Sequence, residues 1–360
     1  MTNKGMNQQQ TFSGKISWRS PSNIALIKYW GKKASQIPAS PSISMTLSKS
    51  FTQCTVSYDF HSARLRSEVK LFFNHQPAPE NFAIKTTDFI RTLETVFPFL
   101  CHFRLTVHTF NSFPHSAGIA SSASSMSALA LCIATILSRS GQLPADSDFF
   151  RTASFMARLG SGSAARSVYG GYSLWGKTPL VENTSDEYAV PLNDFIHPVF
   201  REYGDAILVV SSGTKEISSS AGHAMMQNHS YSEGRIRQAG ERLERLLQVL
   251  KEGKEQKFTD IVENEALTLH ALMMSSEPAF FLLQPETIAI LKKIKSFRAH
   301  TNLPVTFTID AGPNVHLLYP LRYRKEITGF IASELEPYCE NRQWIDDGIG
   351  SGPEQLIDEV

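Results

Sequence analysis

The segment Asn23-Ile24-Ala25-Leu26-Ile27-Lys28-Tyr29-Trp30-Gly31-Lys32-Lys33 constrains this chain more than any other. Its first half is apolar enough for a buried strand. Its second half puts two aromatics and three lysines into six residues. A buried strand ends that way where its positive charge meets an anion. The alternative is a strand end whose lysine stems lie on apolar surface with their ammonium groups in water. Three other segments of equally unusual composition further along favour the anion.

A length of 360 residues exceeds the size at which a single core usually divides, so two domains are expected. Residues 176–204 are rich in turn-formers and weak in periodicity, which puts the boundary near Asp194. The expected organisation is a disordered tail over 1–13, an N-terminal domain over 14–194 and a C-terminal domain over 195–360. The formal net charge of +1 supplies no bulk field for nucleic acid or a membrane surface, and neither is expected as a partner. Cys54, Cys101, Cys132 and Cys339 have no paired spacing, which favours buried free thiols in a reducing compartment over structural zinc. Residues 1–12 carry three successive glutamines and lack the apolar middle of a signal peptide. The longest apolar stretch, 126–137, is too short to span a bilayer. A soluble, cytoplasmic protein is expected.

Residues 14–110 read mainly as strands. Segments 43–47 and 52–58 alternate, 69–73 is a short apolar run closed by the turn Asn74-His75-Gln76-Pro77, and 104–110 follows a helix over 82–97. Ser121–Arg139 is a helix rich in Ala, Ser and Leu, apolar on most faces and therefore central. Asp146 or Ser147 caps a further helix, which Gly160 stops after Leu159. Beyond the boundary come a strand over 205–211, amphipathic helices over 232–251 and 257–274, and a helix over 285–299. Strands over 305–309 and 315–319, a helix over 323–338 and a strand over 344–349 complete an α+β pattern.

Two motif matches fail on context. Gly171-Tyr172-Ser173-Leu174-Trp175-Gly176-Lys177-Thr178 fits the P-loop expression, but Leu174 and Trp175 occupy the loop and Pro179-Leu180-Val181 starts no helix. Gly160-Ser161-Gly162-Ser163-Ala164-Ala165 fits a dinucleotide fingerprint, but it follows a helix where the fingerprint requires a strand.

Four constellations remain. Residues 111–124 join a strand to the long helix through small side chains. Gly118 lets backbone amides approach a ligand, and Ser121 and Ser122 offer hydroxyls at a helix start, where free N–H groups and the dipole favour phosphate; an ordinary serine-rich cap is the alternative. In Gly160–Ser167, Arg166 stands among small residues, and its planar fork suits a carboxylate or phosphate, or else a structural ion pair. Asp310-Ala311-Gly312-Pro313-Asn314 ends an apolar strand with a carboxylate, aimed into a cleft or held in a turn. Segment 212–222 combines Lys215 with clustered hydroxyls after a strand, as a phosphate contact or a plain polar loop. Two anion loops, three or four cations, one candidate base and no metal-ligand cluster fit phosphoryl transfer, in which positioning and charge neutralisation do most of the work.

Taken in order, these segments resemble the diphosphomevalonate decarboxylases of the GHMP kinase superfamily. The residues that carry the resemblance are Asn23 through Lys32, Phe113-Pro114 through Ala123, Arg158 through Ala164, Arg166-Ser167, Asp310 through Asn314 and Gly350-Ser351-Gly352-Pro353. The resemblance implies a GHMP kinase fold, with an N-terminal domain like ribosomal protein S5 domain 2, a ferredoxin-like C-terminal domain, a cleft between them and usually a homodimer. It implies phosphorylation of the 3-hydroxyl of (R)-5-diphosphomevalonate by ATP with Mg²⁺, then loss of phosphate and carbon dioxide to give isopentenyl diphosphate.

By the same resemblance Asp310 orients or deprotonates the 3-hydroxyl, Lys28 tunes it and Arg166 holds the substrate carboxylate. Tyr29, Lys32, Ser161, Gly162, Ser218 and Ser219 fall to the substrate. Pro114, Ser116, Ala117, Gly118, Ala120, Ser121, Ser122 and Lys215 fall to ATP, with Ser122 near the metal. Ser40-Pro41-Ser42 stands where many members have Asn-Ser-Ser, Ala34 where an Asp often follows the lysines, His115-Ser116 for Thr-Ala, and Ala165 for Cys. The alternatives are a sister enzyme acting on the 5-monophosphate, a 3-kinase that stops before decarboxylation, and a non-catalytic nucleotide sensor.

Overall fold

The apolar run before Lys28 forms the end of β1 (Ser13–Ile27), whose last eight residues are all buried. The computed structural model describes residues 12–62, 65–113, 121–143, 148–213 and 219–359. After β1 come a small hairpin of β2 (Lys32–Ala34) and β3 (Ile37–Pro38), then β4 (Ser42–Phe60), β5 (Glu68–Phe73), β6 (Gln76–Pro77), α1 (Glu80–Val96) and β7 (Phe103–Asn111). Helices α2 (Ser121–Arg139) and α3 (Phe149–Gly160) and strands β8 (Tyr172–Trp175) and β9 (Ala189–Pro191) follow. The second half holds β10 (Tyr203–Leu208), α4 (Ser219–Met225), α5 (Ser232–Glu252), α6 (Glu255–Met274), α7 (Pro285–Thr301), β11 (Thr306–Ile309) and β12 (Val315–Pro320). It ends with α8 (Arg324–Phe330), β13 (Trp344–Gly348) and β14 (Glu354–Glu359).

The first sheet runs β14-β1-β4-β7-β5-β6, with β8 on β4 and β9 on β8. The second runs β11-β12-β10-β13 and is antiparallel throughout. Helix α2 is buried from Ala123 to Leu137. Its length and composition would let it cross a membrane, but 83% of its apolar window is covered by the protein itself. Its small polar residues meet β1: Ser20 donates to Ser127 at 2.7 Å, and the Trp18 indole donates to Thr135 at 3.0 Å. A second core joins the two sheets, since Ile24, Leu26 and Ile27 of β1 pack with Leu243, Leu246 and Phe258 of α5 and α6 and with Ile207 of β10.

Several elements differ from the sequence reading for identifiable reasons. The strands expected over 43–47 and 52–58 are one strand, β4. Its polar middle is held by Asp347, whose carboxylate accepts the backbone N–H groups of Ser48, Lys49 and Ser50, each at 2.8 Å. The cap of α3 is Asp148, which accepts the Arg151 N–H at 3.0 Å, and Gly160 is the last residue of that helix rather than its stop. Asp146 and Ser147 lie outside the described residues. The helix expected over 323–338 ends as α-helix at Phe330 and goes on as a π turn and a 3₁₀ turn, the latter holding Pro337. Strand β14 was not expected at all; it returns to the first sheet, pairing Lys15 with Glu359 and Arg19 with Glu354. Of the expected tail, residues 1–11 lie outside the described residues, and Ser13 already belongs to β1. All four cysteines are free, and Cys101 alone is not fully buried.

Candidate active site

Where β1 ends, its main chain is held before its side chains are used. The Lys28 N–H donates to Glu265 Oε1 at 2.9 Å, and Arg235 Nη2 donates to the Lys28 carbonyl at 3.2 Å. Glu265 is fully buried on α6 and also accepts from Arg235 Nη1 at 2.9 Å and Arg242 Nη1 at 2.7 Å. Burial alone would raise the Glu265 pKa, but the two guanidiniums and the Lys28 amide outweigh it and hold the carboxyl below its ordinary value. With the backbone fixed, Lys28 Nζ reaches Asp310 Oδ1 at 2.7 Å. Lys28 is 2% exposed, while the Asp310 side chain is 26% exposed, so the carboxylate is the member of the pair that meets the cleft. Behind it, His270 Nε2 bonds the Asp310 carbonyl at 3.1 Å.

Opposite lies Arg166, in the 3₁₀ segment Gly162–Val168 that follows α3. It is 2% exposed, and burial pushes its pKa down to about 10, with Asp310 opposing the shift, so the guanidinium stays charged at neutral pH. Asn23 Oδ1 accepts from Arg166 Nε and Nη2 at 3.4 and 3.3 Å, and Ser42 accepts from Nη1. Those bonds use three of the five N–H donors, and the other two have no partner among the described residues. A side chain at Gly162 would come within 2.6 Å of the Trp175 ring and 2.9 Å of the Tyr29 ring, which accounts for glycine there.

Lys28, Tyr29, Lys32, Ser122, Ser161, Gly162, Arg166 and Asp310 all line one cavity of 410 Å³, open between the two halves of the chain. The buried Tyr29 hydroxyl has no hydrogen-bond partner among the described residues, and burial drives its pKa up. Lys32 is half-buried, which lowers its pKa. Ser122, exposed at the start of α2, faces Ser161 at 3.5 Å between hydroxyl oxygens. Ser121 opens α2 but is not among the lining residues. Pro114, Ser116, Ala117, Gly118, Ala120, Lys215 and Ser218 lie outside the described residues. Ser219 is described only as the first residue of α4.

Among the described residues no three His, Cys, Asp or Glu side chains are gathered for a metal. That suits Mg²⁺, which is held through few protein ligands and through phosphate oxygens, with Ser122 as the available hydroxyl. Sequence reasoning missed Asn23 and Ser42 as orienters of Arg166, the Glu265 network, and His223, whose ring lines the same cavity. Asn23 stood inside the recognised motif and could have been assigned from it.

Comparison with known proteins identifies the family. A family model described as the diphosphomevalonate decarboxylase-like N-terminal domain matches residues 20–189. The mevalonate 5-diphosphate decarboxylase C-terminal domain matches residues 206–351. Diphosphomevalonate decarboxylase of Eremothecium gossypii is 30% identical over 332 residues, which cover 88% of this chain and 80% of that protein. The crystal structure of mevalonate diphosphate decarboxylase from Staphylococcus aureus is similar at a TM-score of 0.81 and 28% identity, over 96% of this chain and 99% of that one. A structure of MDDEF in complex with MVAPP, AMPPCP and magnesium is similar at 0.79 and 27%, again over 96% and 99%. The architecture is the GHMP kinase fold, α+β and in two parts. With both halves matched in order and one relative at 30% identity over most of its length, this chain belongs to the diphosphomevalonate decarboxylase family.

Proposed function

We propose that the protein uses ATP to phosphorylate the tertiary 3-hydroxyl of (R)-5-diphosphomevalonate and then releases phosphate and carbon dioxide, giving isopentenyl diphosphate. The observation that carries this reading is the placement of a Lys28–Asp310 ion pair and a buried, half-satisfied Arg166 in one cleft. A hydroxyl and a carboxylate on the same substrate need that pair of groups. MDDEF was solved with MVAPP, AMPPCP and magnesium, which supports the same classes of ligand here.

Asp310 accepts a hydrogen bond from the 3-hydroxyl and takes its proton as the oxygen bonds the γ-phosphorus of ATP, while the bond from that phosphorus to the β,γ-bridging oxygen breaks and ADP leaves. Lys28 fixes the rotamer of Asp310 and supplies positive charge beside the transferring group. Arg166 grips the substrate carboxylate with its two remaining donors. The C3–O bond then breaks with departure of phosphate. The C1–C2 electron pair becomes the second C2–C3 bond, and carbon dioxide leaves. Tyr29 and Lys32, with Ser161 and Gly162, hold the diphosphate end. Ser122 stands at the nucleotide phosphates, where a bound Mg²⁺ would neutralise charge. Ser121, Pro114, Ser116, Ala117, Gly118, Ala120 and Lys215 keep their assignment to ATP, and Ser218 and Ser219 to the substrate side. A homodimer in the cytoplasm completes the reading; four free thiols support a reducing compartment.

The route is tested with substrate carrying ¹⁸O at the 3-hydroxyl. Transfer to that oxygen followed by C3–O cleavage delivers the label to inorganic phosphate. Unlabelled phosphate would refute it.

A further inference from the structure

His223, on α4, lies over the strand end that supplies Lys28 and Lys32. Its ring centroid is 4.2 Å from that of Tyr29 and 4.9 Å from that of Trp30. The backbone beneath it is seated closely, because a side chain at Gly222 would come within 2.3 Å of the Trp30 ring. The Gly31 N–H donates to His223 Nδ1 at 3.1 Å, which leaves the proton of the neutral ring on Nε2. His223 is 8% exposed, lines the cleft, and makes no hydrogen bond through Nε2 to any described residue.

Its neighbours share that condition. Among the described residues the buried Tyr29 hydroxyl has no hydrogen-bond partner and the Lys32 ammonium forms no ion pair. Of the carboxylates lining the cleft, Asp310 is engaged by Lys28, and Asp88 belongs to α1. Three donors therefore line one cleft, and the described residues give none of them a hydrogen-bond or ion-pair partner. Two buried donors and a half-buried ammonium without an acceptor call for an acceptor-rich anion. Burial, reinforced by the charges of Lys32 and Arg166, holds the His223 pKa at about 3, so the ring keeps Nε2–H as a neutral donor at neutral pH.

We propose that His223 is a substrate-binding residue that donates Nε2–H to an oxygen of the substrate's diphosphate, beside Tyr29 and Lys32. This assignment rests on the decarboxylase reading and adds a ligand to it. A neutral third donor strengthens the diphosphate corner without adding charge that would also attract the nucleotide.

Two substitutions separate the ring's two nitrogens. His223→Asn puts an amide oxygen near Nδ1, keeping the Gly31 bond and losing the cleft donor. His223→Gln puts an amide N–H near Nε2, keeping the donor and losing the Gly31 bond. In the full chain, His223→Asn is expected to raise KM for diphosphomevalonate about 10- to 100-fold and to leave KM for ATP within about threefold, the loss typical of one hydrogen bond to a charged group. His223→Gln is expected to stay within about threefold of the parent for both. Any result in which His223→Asn binds diphosphomevalonate as tightly as His223→Gln overturns the proposal. Calorimetric binding of inorganic pyrophosphate to the same three proteins reads the donor without turnover. An inactive parent protein that still binds pyrophosphate in the expected order would fail the decarboxylase reading and keep this assignment.

Discussion

Lys28 Nζ lies 2.7 Å from Asp310 Oδ1, so an ion pair between residues 282 positions apart ties the end of β1 to the end of β11. That bond is one of the links between the two sheets, beside their shared apolar core. The buried lysine is anchored through its own backbone by Glu265 and Arg235, and the carboxylate is the more exposed member. The carboxylate is thus held from behind by a buried cation and lines the cleft, the kind of preorganisation the proposed role of Asp310 requires.

Asp310→Asn keeps the shape of the side chain and removes its capacity to take a proton. The expected result is a fall in kcat of at least about a thousandfold, with ATP affinity within about threefold of the parent. Steady-state kinetics and nucleotide titration check both. A variant retaining more than about a tenth of the parental rate would remove Asp310 from its role.

Arg166→Lys tests the carboxylate clamp. Lysine keeps a positive charge but cannot bond Asn23 and Ser42 while presenting two parallel donors to a ligand. kcat/KM for diphosphomevalonate should fall about a hundredfold or more. Near-normal kinetics would refute the clamp.

Glu265 is fully buried with Arg235 and Arg242, so Glu265→Gln leaves two guanidiniums without their counter-charge. Denaturant unfolding at pH 7 should show a loss of about 3 kcal/mol. The folded pKa of Glu265 lies below the ordinary glutamate value of 4.5, so its stabilising contribution is present above that value and is lost as pH falls through the folded one. The difference between parent and variant should therefore shrink below about pH 4.5. A constant difference across that window would contradict the account.

His223 and His270 are both buried in neutral form, with pKa values lowered by burial from 6.5 to about 3 and about 4. Each favours the folded state above pH 6.5 and loses that contribution as pH falls towards its folded value. Each adds a slope of about 1.4 kcal/mol per pH unit in between. Replacing both with Gln should flatten the decline in unfolding free energy between pH 6.5 and 4. An unchanged slope would mean that the rings are charged in the folded protein.

The sequence made the cleft legible where chemistry interrupts an apolar pattern. Lys28, Arg166 and Asp310 each stand directly after or within segments that would otherwise be core, and such placements are rare without a purpose. The Glu265 network was not legible, because Arg235, Arg242 and Glu265 sit on long amphipathic helices whose charges read as solvated faces. Strand β14 was hidden for the opposite reason, since Glu354–Glu359 is a polar edge strand with no wholly buried residue. His223 follows Gly222 in a short helix with no pattern of its own, and only folding brings it against Tyr29.

The most direct test of the central claim is coupled measurement of ADP and carbon dioxide released by the purified protein from ATP, Mg²⁺ and (R)-5-diphosphomevalonate, with the 5-monophosphate run in parallel. The account predicts equal amounts of both products from the diphosphate and none from the monophosphate. ADP without carbon dioxide, or both products from the monophosphate alone, would contradict it.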